Sequence, residues 1–228
     1  MGQVSQPVRV PAAHEVVAER LRRSIALGEV LPGERLPAER TLAQDLGVSR
    51  LTIRGALRVL QGEGAVVTRR GATGGAFVTE RTRPIEPARI VEVFDYRLAV
   101  ESAAAGLAAE RRTDADLQRL AEHGRALEGS ADAGAFRRAD SGFHLTVADA
   151  SGNGMLRGSI EDARAAAFDA FDALPFRVLR DSTAQGHAAI ADAIERGDAT
   201  AAADAMAEHL RRARSEVLAV LRGADVSP

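Results

Sequence analysis

The sequence contains no cysteine, which excludes a disulfide framework, a thiolate zinc site and a cysteine nucleophile together. It contains no lysine either, since all 30 basic residues are arginine. With the many alanines, that uniformity reads as a coding preference, so the abundance of arginine is not by itself an argument for nucleic acid. No apolar run approaches the roughly 20 residues that a membrane helix requires. Residues 1–10 lack the apolar core of a signal peptide, and a soluble, cytoplasmic protein is the expectation. No internal repeat is visible, and beyond about residue 88 no convincing strand occurs.

What is present suits two modest domains. The 228 residues are 46% hydrophobic and 27% charged, enough to bury a sizeable core. The formal charge of −2 averages unlike halves: residues 1–80 hold 11 arginines against 8 acidic residues, the remainder 19 against 24. A mildly basic N-terminal part on an acidic body suits a nucleic-acid-binding module joined to something else.

Residues 12–28 read as an amphipathic helix with Val16, Val17, Leu21 and Ile25 on its apolar stripe. After a turn at Pro32-Gly33, a short helix is expected from Pro37 to Leu46. Gly47 breaks it, Val48 plugs the corner, and Ser49 caps a helix running to about Gln61, with Ile53, Ala56, Leu57 and Leu60 buried. Two short helices about a glycine turn form a helix-turn-helix. Ala65–Arg69 and Ala76–Thr79, around a tip containing Gly71, Gly74 and Gly75, form the β-hairpin of a winged helix. The second helix would enter the major groove by its N-terminal end. There Arg50 and Arg54 lie one turn apart, suited to fork onto guanine O6 and N7, while Ser49 and Thr52 suit a phosphate or a thymine methyl. The alternative for each arginine is a solvated or salt-bridged surface residue.

The string Pro32-Gly33-Glu34-Arg35-Leu36-Pro37-Ala38-Glu39-Arg40, with Leu42-Ala43 and Leu46-Gly47-Val48-Ser49-Arg50-Leu51-Thr52-Ile53-Arg54, closely resembles the GntR family of bacterial regulators. The resemblance implies DNA contacts from Arg40 on the preceding helix and from Arg70 and Gly71 at the wing tip. Arg35, at the start of the string, joins them as a candidate with the same surface alternative. Two positions depart from the usual pattern. Ala38 stands where serine is usual, removing a helix cap and a phosphate contact, and Leu51 stands where relatives sometimes carry a polar DNA-contacting residue.

Glu80 to Pro87, with two prolines and alternating charge, reads as a linker. Helical stripes then recur over 88–111, 114–128, 132–150, 154–174, 182–196 and 199–222, predicting an antiparallel bundle. The expected organisation is therefore mainly α: a tail (1–11), a winged helix-turn-helix (12–80), a linker (81–87), an all-helical domain (88–223), which the resemblance drawn below implies is for sensing and dimerisation, and a tail (224–228).

Three histidines fall within apolar stripes: His144 beside Phe143 and Val147, His187 beside Ile190 and Ile194, His209 beside Met206 and Leu210. Asp140 lies one turn before His144 on the same face. A buried imidazole or carboxylate needs a partner. One reading satisfies each separately in the core; in the other all four converge on one divalent cation, an O/N ligand set that suits zinc, nickel, manganese or iron. His14 and His123 lack this support and read as surface residues.

The C-terminal half resembles the FCD effector domain of the FadR subfamily. The resemblance rests on Arg97-Leu98-Ala99-Val100-Glu101, Asp140-Ser141-Gly142-Phe143-His144, Ser151-Gly152-Asn153 and Gly186-His187-Ala188-Ala189-Ile190 through Met206 and His209-Leu210. It implies a metal, zinc foremost, held by Asp140, His144, His187 and His209. It also implies a small carboxylate effector facing Arg97, whose alternative is an i,i+4 salt bridge with Glu101. Asn153 either adds a hydrogen bond to that pocket or caps a helix. Relatives that bind long acyl-CoA ligands lack this metal set. The expected protein is thus a homodimeric repressor of a catabolic or transport operon, reading a palindromic operator in double-stranded DNA. A metalloregulator sensing the metal itself is the alternative; a metal-dependent enzyme is disfavoured, because no general base stands beside the ligands.

Overall fold

A computed structural model describes residues 11–71, 74–79, 87–171 and 176–222. The expected linker, apart from Pro87, the break at Pro175, and nearly all of both tails lie outside these residues. By internal contacts the chain divides into two units, Met1–Ile25 with Val30–Arg81 and Ala26–Glu29 with Thr82–Pro228. Each is described separately below.

The first unit, the head, contains α1 (Ala13–Ala26), α2 (Glu39–Asp45), α3 (Arg50–Gly62), β1 (Val66–Arg69) and β2 (Gly75–Val78). The strands pair antiparallel, Val66 opposite Val78 and Arg69 opposite Gly75. The segment before α2 extends the hairpin, with Leu36 N–H donating to Ala76 C=O and Val78 N–H to Glu34 C=O, both at 2.9 Å. Val17, Ala18, Leu21, Leu36, Leu42, Ile53, Ala56, Leu60, Val66 and Val78 form one apolar core. The turn between α2 and α3 depends on Gly47, whose φ of +64° lies in the left-handed region open to glycine. Val48 N–H then returns to Ala43 C=O at 3.0 Å. Ser49 caps α3 by accepting from Thr52 N–H at 3.1 Å.

Two expectations for the head need correction. Val16 is 57% exposed, because the buried stripe of α1 runs through Val17, Ala18 and Leu21 and leaves the preceding residue turned about 100° away. The helix α2 begins at Glu39, two residues later than Pro37, with Ala38 as an N-cap whose side chain makes no capping bond.

The second unit, the body, contains α4 (Pro87–Arg111), α5 (Asp114–Glu128), α6 (Ala133–Ala150), α7 (Gly154–Phe171), α8 (Phe176–Arg196) and α9 (Ala199–Leu221). The boundaries follow side-chain chemistry. Thr113 and Asp116 form a capping box at α5, Asp132 caps α6, and Asp198 caps α9. Pro87 opens α4 rather than ending a linker, a first-turn position where its missing N–H is not needed. The helix α8 starts six residues before the expected 182. The central helix α4 packs on α6, α7, α8 and α9, while α5 lies on α6 and α8. The core runs through Ile90, Phe94, Leu120, Leu127, Phe143, Val147, Ile190, Ile194, Met206, Leu210 and Val217. This mainly α arrangement, a winged head and a helical bundle, is the architecture read from the sequence.

Candidate metal centre and nucleic-acid interface

Three helices of the body each bring titratable side chains to one point: Asp140 and His144 from α6, His187 from α8 and His209 from α9. One potential ligand atom from each lies within 4.8 Å of the others. His144 Nε2 stands 3.3 Å from both His187 Nε2 and His209 Nε2. Asp140 Oδ1 lies 3.3 Å from His187 Nε2 and 3.7 Å from His144 Nε2. Donors held about 2.0–2.1 Å from a tetrahedral centre are separated by about 3.3–3.4 Å, so the spacing fits a single cation. Packing sets it: Phe143 stacks on the His187 ring at 3.9 Å between centroids. Glycine at 186 leaves room for the His209 ring, since a Cβ there would meet its Nδ1 at 2.5 Å.

A layer of fixed charge surrounds the cluster. His144 Nδ1 lies 2.5 Å from Glu101 Oε2, which sets the carboxylate against that ring nitrogen and leaves Nε2 facing the cluster. The other Glu101 oxygen accepts from Arg97 Nε at 2.5 Å. Arg164, on α7, donates to Asp140. Arg97, Glu101, His144, His187, His209 and Arg164 are all buried, so two cations balance two carboxylates inside the bundle.

The electrostatics favour neutral imidazoles and ionised acids, the forms that bind cations. Burial, then Arg164, pushes His144 down to about 4. Burial also lowers His187, and burial together with His187 and His144 lowers His209 well below the usual histidine range. Burial pushes Glu101 up, but Arg97, His144 and Arg164 together outweigh it and hold the carboxyl below its ordinary value. Burial likewise opposes ionisation of Asp140, and Arg164 leads the groups that leave it well below the usual range. Donor type, spacing and protonation therefore fit a divalent metal.

Of the effector candidates, Arg97 makes the i,i+4 pair with Glu101, and its guanidinium lies 5.1 Å above the Phe94 ring. Asn153 caps α7, its Oδ1 accepting from Met155 N–H at 3.0 Å and Leu156 N–H at 3.3 Å. His123 is not the surface residue expected: it is half-buried against Gly142 on α6, where a Cβ would overlap its ring. His14 is also half-buried, packed on Gly55 of α3. Sequence reasoning took Glu101 only as a salt-bridge partner and missed Arg164. The sole local signal for Arg164 was a charged residue within an alanine run.

In the head, Arg50 and Arg54 project from the first turns of α3 with side chains 60% and 55% exposed. A groove between α2, α3 and the hairpin is lined by Arg35, Arg40, Arg50, Arg54 and Arg58, with Glu39 among them. Arg58, one turn beyond Arg54, was missed, although extending the Arg50–Arg54 spacing would have found it. Arg40 reaches Gln44 Oε1 at 3.5 Å. Ser49 and Thr52 hold each other, hydroxyl to hydroxyl, at 2.9 Å. Arg70 and Gly71 are exposed at the hairpin, Gly71 with φ +109°. Leu51 is 71% exposed, an apolar side chain at the tip of the helix.

Comparison with known proteins matches both units. Residues 13–78 match the model for bacterial regulatory proteins of the gntR family, and residues 92–212 match the FCD domain. The chain is 34% identical over 220 residues to a putative L-lactate dehydrogenase operon regulatory protein of Escherichia coli K12, covering 85% of this chain and 82% of that protein. It is 36% identical over 145 residues to the putative transcriptional regulator RmpR of Mycobacterium gastri, a match spanning 59% of this chain and only 53% of that relative. Among solved structures, Escherichia coli McbR/YncC shares the fold with a TM-score of 0.60 at 22% identity, covering 94% and 99% of the two chains. A putative GntR regulator of Rhodococcus sp. RHA1 does so with a TM-score of 0.57 at 24% identity, covering 90% and 97%.

Proposed function

The chain belongs to the gntR family of bacterial regulatory proteins and carries an FCD domain, and from that premise we propose a transcriptional repressor whose body holds a divalent metal and answers to a small carboxylate. The observation that carries the proposal is the convergence of Asp140, His144, His187 and His209 on one point inside the bundle. Those four residues would hold the metal, zinc foremost among zinc, nickel, manganese and iron. A bound cation supplies positive charge and coordination positions for an anion. Arg97, tied through Glu101 to His144, would furnish the organic acid's second counter-charge, and the amide nitrogen of Asn153 a hydrogen bond. Among described residues no helix is long and apolar enough to cross a membrane.

Two copies, related by a two-fold axis, would present Arg50 and Arg54 to successive major grooves of a palindromic operator about one helical turn apart. Arg40 and Arg35 would support them from the groove's edge, Ser49 and Thr52 from the helix start, and Arg70 with Gly71 from the wing. The effector acts through its different affinity for the DNA-binding and DNA-releasing arrangements. A catabolic or transport operon is the matching target, and L-lactate heads the list of acids because one relative is described as an L-lactate dehydrogenase operon regulator.

The test is a mobility-shift titration on the DNA upstream of the protein's own gene. It compares metal-loaded and chelated protein, with a panel of small carboxylates beginning with L-lactate. A carboxylate that shifts the DNA midpoint only with the loaded protein supports the reading. A midpoint that follows free metal and ignores every acid replaces it with a metalloregulator. Purified protein that neither contains nor takes up a divalent ion removes the metal altogether.

A further inference from the structure

We propose that Glu39 is a specificity-determining residue of the DNA-reading surface, a carboxylate that positions the reading arginines and repels phosphate. The inference rests on the DNA-binding role of the head but not on the metal or effector. Glu39 is the first residue of α2, where the helix dipole favours negative charge. From there it reaches across to α3, where Arg54 Nε donates to Glu39 Oε2 at 2.8 Å and Arg50 Nη2 lies 3.9 Å from the same oxygen. It stands in a groove with five arginines, on a face meant for a polyanion.

Stability does not account for this carboxylate. The pairs are substantially exposed, 33% at Glu39 and 55–60% at the arginines, and such pairs contribute little to folding. Recognition does account for it. Five clustered guanidiniums without a counter-charge would repel one another and close on any phosphate in reach, the sequence-independent mode of binding. Glu39 engages Arg54 through Nε, which leaves the terminal amino groups to meet a base edge. Its charge opposes an approaching phosphate and scarcely affects a neutral guanine edge. Discrimination is a difference of two affinities, and one carboxylate lowers the unwanted affinity while ordering the wanted one. Arg58 is not drawn into this arrangement, since its Nε donates to Arg54 C=O at 3.4 Å.

The experiment first selects the preferred duplex from a random pool with the wild-type protein. It then measures Kd for that duplex and for a scrambled one of equal length and composition, across a salt series, for wild type, Glu39→Gln and Glu39→Asp. Glu39→Gln should bind the scrambled duplex more tightly, with a steeper salt slope, and its specificity ratio should fall about tenfold. Glu39→Asp, keeping the charge, should recover most of the ratio. Thermal unfolding of each variant confirms an intact head. An unchanged ratio and slope in folded Glu39→Gln would overturn the inference while leaving DNA reading intact. A wild-type protein without preference for any duplex would overturn the reading beneath it, and this inference with it.

Discussion

Arginine–carboxylate pairs occur in both units and obey different physics. In the head, Arg54 and Glu39 meet at 2.8 Å with side chains 55% and 33% exposed. In the body, Arg97 and Glu101 meet at 2.5 Å with side chains 3% and 2% exposed. Water and salt screen the first pair, which is worth at most about 1 kcal/mol, so Arg54 can adjust within it at small cost as its terminal amino groups meet DNA. The second has lost its hydration and persists only because each charge has its partner. One unit thus keeps charge exchangeable and the other keeps it fixed, as suits a DNA-binding surface that must release its ligand and the proposed metal centre, whose donors must be held ready.

The largest expected effect tests that contrast directly. Asp140→Ala removes the carboxylate that Arg164 meets inside the bundle, and breaking a buried pair from one side costs about 3–5 kcal/mol. Glu39→Ala should cost at most about 0.5 kcal/mol, as surface changes usually do. Guanidinium unfolding of the metal-free variants measures both, and equal losses would dissolve the distinction between the units.

Acid should find the body next. In metal-free protein His144 titrates at about 4 because of its burial and Arg164, against about 6.5 in an unfolded chain. The unfolded state binds more protons between those values, so stability falls as pH falls through that window. The depressed Asp140 and Glu101 act with the same sign: their contribution is complete above the ordinary carboxylate range and is lost as pH falls toward their folded values. Lowering the pH from 7.5 to 5 should remove about 2 kcal/mol for each histidine that stays neutral. A urea midpoint that does not move would show that the buried rings accept protons freely.

How much of this was readable depended on the distance between partners in sequence. The helices and hairpin were legible because their signals are local: apolar periodicity, the capping box of Thr113 and Asp116, and the caps Asp132 and Asp198. The four residues of the proposed metal site were each legible as polar residues on apolar stripes. Their meeting depends on how α6, α8 and α9 pack, so the residues alone left it as one of two alternatives, and the family resemblance decided between them. Arg164 with Asp140 and Glu39 with Arg54 are joined across 24 and 15 residues, by helix packing that no local pattern encodes. Glu101 was visible as the partner of Arg97, but its second contact lies on another helix. Replacing it with glutamine should weaken metal affinity about 10–100-fold, the usual effect of losing a group that orients a histidine ligand. Competition against a chromophoric chelator measures this, and an unchanged affinity would mean that Glu101 serves Arg97 alone.

The smallest effect belongs to the head, where a local signal is missing. Ala38 sits at the N-cap of α2 with extended backbone, φ −58° and ψ 147°, and no side-chain acceptor. Eleven residues on, Ser49 shows what a hydroxyl does at the equivalent place, with Thr52 N–H donating to it at 3.1 Å. Ala38→Ser should therefore add about 0.5–1 kcal/mol to the head, seen as a small rise in its thermal midpoint. The new hydroxyl would lie beside Glu39 without adding charge, so the salt dependence of DNA binding should stay as it was. A higher midpoint with an unchanged salt slope would separate local helix stability from exchangeable charge within one unit. An affinity for DNA raised equally at every salt concentration would mean that the serine hydroxyl regains the phosphate contact that alanine removes, and that the head too holds part of its ligand by fixed geometry.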